Sequence, residues 1–287
     1  MLRRLLFAAA VVCLPLAATA QTLEFETARA QAMGGAFRAL CFDNSAIDLN
    51  PAGLGQFKKV EFAPSYYRTV DGREYAMSVS VSDSLTNAAG TGTAFEYRKR
   101  RSQSDVILDG GESYRYTLGI GFPVIPDQAW VGFSTKYYKV NHDDPALKDR
   151  SGFTSDLGIL YRPMKYFAIA GTFDNLVNGN QAEAPRSITG GIAVLPTEWF
   201  VASADVFSDL ASTKDEKTGW ALGTQVSPAQ QVALRAGLYK EALTQKQFWT
   251  GGVGLISETG TIDYAFRLED GNSKVVSHFV TISFLKF

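Results

Sequence analysis

From residue 58 onward the chain is a succession of short segments in which apolar and polar positions alternate. In 115–122, Tyr116, Leu118, Ile120 and Phe122 alternate with Arg115, Thr117, Gly119 and Gly121. In 231–240, Val232, Leu234, Ala236 and Leu238 share one face and Arg235 and Gly237 the other. In 261–268, Ile262, Tyr264, Phe266 and Leu268 oppose Asp263 and Arg267. Period-two alternation predicts strands whose two faces meet different environments. The pattern divides the chain into segments at 59–69, 74–83, 93–101, 112–122, 128–140, 152–162, 166–176, 186–195, 198–208, 218–226, 231–240, 246–257, 261–268 and 274–287. Most have about ten residues, the length a tilted strand needs to cross a bilayer. The prediction is all-β: a transmembrane antiparallel up-and-down β-barrel of about 14 strands.

The connections have a pattern of their own. Those at 123–127, 163–165, 196–197, 227–230 and 258–260 are short, and all but the last contain proline. The intervening ones, at 102–111, 141–151, 177–185, 209–217 and 269–273, are longer and more polar. Membrane barrels put short turns on the periplasmic side and longer loops outside, which requires an even strand count. The first two connections depart from this, since Asp71-Gly72 is tight and 84–92 is long.

With the apolar face against lipid, the alternation sends Glu61, Glu96, Arg98, Arg115, Lys136, Asp156, Asp174, Asp205, Arg235, Asp263 and Arg267 into the lumen. The reverse placement would cost about 2–4 kcal/mol per charge at the bilayer midplane. The expectation for these charges is a set of inward ion pairs that knit the wall. Several inward positions are small, namely Gly121, Gly132, Gly158, Ala168, Ala170, Gly237, Gly252 and Gly254. They leave room for a segment inside the barrel, and 21–54 is the nearest candidate.

The last strand places Val280, Ile282 and Phe284 on one face and Phe279, Thr281, Ser283, Leu285 and Phe287 on the other. A bare apolar edge strand is an aggregation hazard that a barrel removes by pairing its last strand with its first. The more apolar face omits Phe287, so a bulge near the chain end is expected. An aromatic carboxyl-terminal residue after such a strand resembles the assembly signal of outer-membrane barrels. That resemblance implies a recognition role for Phe279, Leu285 and Phe287, with the barrel-assembly machinery as a partner.

Residues 1–20 read as a cleavable signal peptide. Arg3 and Arg4 precede a short apolar run, and Ala18-Thr19-Ala20 supplies small residues before Gln21. Cys13 leaves with it, so Cys41 would be alone and no intramolecular disulfide could form. The 287 residues carry a net charge of −1 and a mean hydropathy of −0.05. No later run reaches roughly 18 apolar residues, which excludes helical spans, and alternating faces cancel in such an average. Near-zero charge without a basic stripe argues against nucleic-acid binding. His142 and His278 lack partners at metal-ligand spacing. There is no G-x-S-x-G elbow, and Gly110-Gly111, Gly190-Gly191 and Gly251-Gly252-Val253-Gly254 lack the strand–turn–helix setting of a phosphate loop. No catalytic residue, metal site or cofactor is predicted.

Residues 26–40 are rich in small side chains and helix-like, interrupted by Gly34-Gly35. Asp43 or Asn44 could cap a short helical turn, which Pro51 should end or kink while restricting Asn50. Ala32-Met33-Gly34-Gly35-Ala36, followed by the D-x-x-A-x-x-x-N-P-A-G-L string of 43–54, resembles the amino-terminal segment of the FadL and PorV superfamily of outer-membrane proteins. Residues 262–266, a hairpin at Gly271 and 278–287 resemble the closing strands of small PorV-type members. The resemblance implies a short helical plug, residues 21–57, inside a barrel of 58–287. Met33, Gly34, Gly35, Asp43, Asn50, Pro51, Ala52 and Gly53 would belong to its hatch. It also implies an outer-membrane location, lipid contact, and service in transport or secretion. Two functions follow. One is a FadL-like channel for small hydrophobic molecules. The other is a non-conducting PorV-like barrel that docks secreted proteins or envelope machinery. FadL-type transporters generally carry longer outer loops, so an external ligand groove is not expected here.

Overall fold

The computed structural model describes residues 27–101, 110–177, 180–181, 184–211 and 217–287; the signal-peptide expectation lies outside them. Three short helical turns come first: α1 (Ala28–Ala32), α2 (Ala46–Leu49) and a 3-10 turn at Pro51–Gly55. The strands are β1 (Val60–Thr69), β2 (Glu74–Asp83), β3 (Gly90–Arg100), β4 (Gly111–Ile125), β5 (Ala129–His142), β6 (Arg150–Met164) and β7 (Phe167–Asp174). The two-residue pair β8 (Asn180–Gln181) and β9 (Ala184–Pro185) follows. After it come β10 (Ser187–Thr197), β11 (Phe200–Asp209), β12 (Thr218–Ala229), β13 (Val232–Lys240), β14 (Gln247–Ser257), β15 (Gly260–Glu269) and β16 (Asn272–Lys286).

Apart from β8 and β9, the strands close into one antiparallel barrel in sequence order, β16 pairing with β1. Closure uses the in-register pairs Val60↔Lys286 through Thr69↔Ser277, interrupted only at Ala63 and Pro64, the latter having no N–H to give. Outward positions are apolar and exposed, including Leu118 (60%), Ile159 (60%), Leu234 (51%) and Phe284 (56%). That is the surface a bilayer covers. Inward positions alternate with them and are buried.

Three expectations change. The prolines of the short connections are not turn residues. Pro123, Pro163, Pro196 and Pro228 stand in β4, β6, β10 and β12, each at or within a one-residue register shift beside its hairpin. A bulge tolerates a missing donor where a regular ladder does not. The actual turns shrink to 126–128, 165–166, 198–199 and 230–231. Second, no bulge occurs near the chain end. The β16 register against β1 is unbroken to Lys286, and the shift against β15 lies at Leu268/Glu269, by the hairpin. Phe279 and Leu285 face inward with Ser277 and Thr281, and Phe287 follows the strand, 71% exposed. Third, β7 stops at Asp174 because Asn175 takes a left-handed conformation (φ 57°). β6 runs on to Arg150, so β6–β7 pairing begins only at Leu157↔Phe173. Beyond it, the chain after β7 lies against β6, with the Leu176 N–H donating to the Ser155 carbonyl at 2.8 Å.

Candidate functional site

The described part of the amino-terminal segment, 27–57, lies against the inward face of the barrel. Its apolar side chains Met33, Phe37, Leu40, Ile47, Leu49 and Leu54 form one buried cluster with Trp130, Leu160, Ala168, Ala170 and Ala193 of the wall. α1 begins at Thr27, whose hydroxyl caps the Ala30 N–H, and ends at Met33. Gly34 and Gly35 then turn the chain with φ of 67° and 78°, conformations that favour glycine. Asp43 accepts from the Ser45 N–H at 2.9 Å, starting the turn that becomes α2. Pro51 begins the 3-10 turn and leaves Asn50 extended, as a residue before proline prefers.

The wall glycines mark the contact. A Cβ on Gly132 would fall on the Pro51 carbonyl carbon and the Ala52 nitrogen, and one on Gly158 would strike the Asn50 amide oxygen. Gly223 and Gly237 stand in the same relation to Met33 and Gly34. Backbone therefore packs on backbone at two places, Asn50–Ala52 against β5 and β6, and Met33–Gly34 against β12 and β13. Asn50 is fully buried. Its amide nitrogen donates to the carbonyls of Arg38 (3.0 Å) and Ile159 (3.2 Å), while its oxygen accepts from the Ala52 N–H (3.2 Å).

Inward charges complete the seat. Asp205 of β11 accepts from the Phe37 and Arg38 backbone N–H groups, both at 3.2 Å, and pairs with the Arg38 guanidinium at 3.7 Å. Arg38 also reaches Asp174 at 3.9 Å. Arg29 bridges Asp43 (3.5 Å) and Asp263 (3.2 Å), and Asp263 holds Arg235 at 2.7 Å. Asp48 takes Arg115 at 3.3 Å and the Thr117 hydroxyl at 3.0 Å; Arg115 continues to Glu96 (2.8 Å), and Glu96 to Arg98 (3.1 Å). Beside this last chain lies a polar cavity of 20 Å³ lined by Thr27, Asn44, Ser45, Asp48, Ser65 and Glu96 among others, room for about one water. Lys59 holds Glu61 at 2.6 Å, and Lys136 holds Asp156 at 2.8 Å. Asp156 also accepts from the Asn175 N–H at 2.9 Å, at the edge where β7 gives out.

Of the inward charges expected from alternation, one differs. Arg267 is only half-buried and lies with its guanidinium 5.0 Å from the Phe248 ring centroid and 5.8 Å from that of Phe279. Among the described residues no carboxylate pairs with it. Besides Arg29, two lumenal arginines outside that expected set also matter. Arg38 joins Asp174 to Asp205, and Arg162 donates to the Gln56 side chain at 2.7 Å between Phe57 and Trp130.

No family model and no curated protein matches the sequence. Solved structures do match in fold. The Ralstonia pickettii toluene transporter TbuX superposes with a TM-score of 0.66 at 14% identity, covering 91% of this chain and 98% of that one. The P. putida toluene transporter TodX gives 0.66 at 14% identity, with 92% and 99% covered. A Pseudomonas aeruginosa FadL homologue gives 0.63 at 9% identity, with 92% and 98% covered. This chain shares the closed barrel of FadL-type outer-membrane channels over nearly its whole described length.

Proposed function

We propose that the protein is an outer-membrane channel for small hydrophobic molecules, with residues 21–57 as its hatch and 58–287 as its barrel. The observation that carries this reading is where Asn50-Pro51-Ala52 sits. The motif rests on glycine backbone of β5 and β6, and Asn50 bonds to Ile159, three residues along β6 from Asp156. Asp156 marks where the β6–β7 ladder has ended and a loop takes over the wall. A cargo displaced by the hatch would meet the wall where fewest ladder bonds oppose lateral passage into lipid. The fold shared with proteins described as toluene transporters supports the same reading. A docking barrel would need no such junction, so the channel is preferred over a PorV-like role.

The test uses the full chain in liposomes with a hydrophobic fluorescent probe. Entry should occur with the wild type and fall at least tenfold when Asn50 and Pro51 are both replaced by Ala. Equal entry with protein-free liposomes would refute the channel and leave the docking role to be pursued.

A further inference from the structure

Above the seat of the amino-terminal segment, at the barrel end away from the chain terminus, inward side chains of six strands form a continuous aromatic arc. Phe207 of β11 stacks on Tyr239 of β13, with ring centroids 5.6 Å apart and an interplanar angle of 18°. Tyr239 meets Phe248 of β14 at 5.9 Å. Phe248 and Phe279 of β16 flank the Arg267 guanidinium, and Phe279 packs on Tyr67 of β1 at 4.7 Å. Phe207, Tyr239, Phe248 and Arg267 are all partly open to solvent. The arc stands one inward step above the seat. Thr250, two residues from Phe248, donates to the Ala32 carbonyl at 3.1 Å, and Gly237, two from Tyr239, abuts Gly34.

Arg267 differs from the arginines that hold the seat and the wall beside it. Arg29, Arg38, Arg98, Arg115 and Arg235 each hold a carboxylate within 4 Å. Two carboxylates at this end of the barrel are already paired. Glu74 is held by Arg98 (3.2 Å) and Arg100 (3.8 Å), and Glu269 by Lys246 (2.7 Å). Among the described residues no carboxylate lies within 4 Å of the Arg267 guanidinium, which is met by the ring faces of Phe248 and Phe279. Cation–π contact uses the flat faces of a guanidinium and leaves its N–H edge able to take a carboxylate bidentately. A partly desolvated cation between rings strengthens that pairing over its value in water.

We infer that this arc is a reception site for aromatic carboxylates of the benzoate type, the ring stacking within the arc and the carboxylate paired with Arg267. The inference rests on the channel reading and names its cargo class. A neutral hydrocarbon would gain the stacking alone.

The test is calorimetric titration of the detergent-purified full chain with sodium benzoate and, separately, with benzyl alcohol, at fixed ionic strength. The wild type should bind benzoate at least tenfold more tightly than benzyl alcohol. Arg267→Gln should abolish that preference and leave benzyl alcohol unchanged, and Phe248→Leu should weaken both ligands several-fold. Heat-modifiable gel mobility checks that each variant keeps a closed barrel. Equal wild-type affinities, or a benzoate preference that survives Arg267→Gln, overturn the site. A benzoate preference without probe entry into liposomes supports the site and removes the channel. Probe entry without a benzoate preference does the opposite.

Discussion

Replacing Asp205 by Ala should unseat the amino-terminal segment while sparing the barrel. The carboxylate belongs to a strand whose backbone ladder, Asp205↔Gly191 on one side and Asp205↔Ala221 on the other, does not depend on its side chain. Its bonds instead run to the segment: the N–H groups of Phe37 and Arg38 and the Arg38 guanidinium. Both partners are buried, Asp205 at 1% and Arg38 at 8% exposure. Removing one member of a buried pair costs about 3–5 kcal/mol, because the survivor keeps its charge without its partner. Arg38 still reaches Asp174, at a long 3.9 Å, so the lower half of that range applies. At about 1.4 kcal/mol per tenfold change, even about 3 kcal/mol raises the unseated population by roughly a hundredfold. Planar-bilayer recording reads this directly as the fraction of time the barrel conducts ions. An increase of less than tenfold, with the variant still heat-modifiable on gels, would show that the segment is held by packing alone and refute the electrostatic seat.

Three further predictions share the same logic. Gly132→Leu drives a side chain into Pro51 and Ala52, a clash with backbone on both sides; overpacking of this kind costs about 1–3 kcal/mol or more, and bilayer conductance should rise as with Asp205→Ala. Leu118→Lys places a charge on the outer face and should lower folding stability in lipid vesicles by about 2–4 kcal/mol, whereas Leu118→Val should cost under about 1.5 kcal/mol. Arg115→Leu removes the cation from Asp48, which keeps the Thr117 hydroxyl, and leaves Glu96 to Arg98; urea titration of the barrel in vesicles should shift by about 3 kcal/mol, the low end for a broken buried pair, and an unchanged midpoint would mean that water in the adjacent cavity replaces the guanidinium.

Alternation makes the barrel legible because the side-chain period is fixed by the backbone and lipid punishes errors of face. That is why Arg115, Lys136 and Asp263 could be assigned inward one strand at a time. Small residues such as Gly132 and Gly158 show that something approaches the wall, but not which atoms; only the folded segment puts Pro51 and Asn50 there. The prolines were misread for a physical reason. Proline commonly signals a turn, yet a bulge next to a turn accepts it equally well, and the two cannot be told apart without knowing the partner strand. The arc around Arg267 was illegible in the same way. Phe207, Tyr239, Phe248 and Phe279 come from different strands, and their meeting depends on cross-strand register, which no single strand contains. The end of β7 at Asn175 was also hidden, since a left-handed asparagine leaves no periodic trace.

The link between Ala28 and Thr281 has a consequence for how the molecule is made. The Ala28 N–H donates to the Thr281 hydroxyl at 2.9 Å across 253 positions of sequence, and Arg29 reaches Asp263 of the neighbouring strand. Thr281 also pairs with Ser65 in the seam that closes the cylinder. Ala28 and Arg29 thus find these anchors only in β15 and β16. An unfinished or carboxyl-terminally truncated chain lacks both the seam and the anchor. Closure of the wall and capture of the inner segment therefore become a single late event.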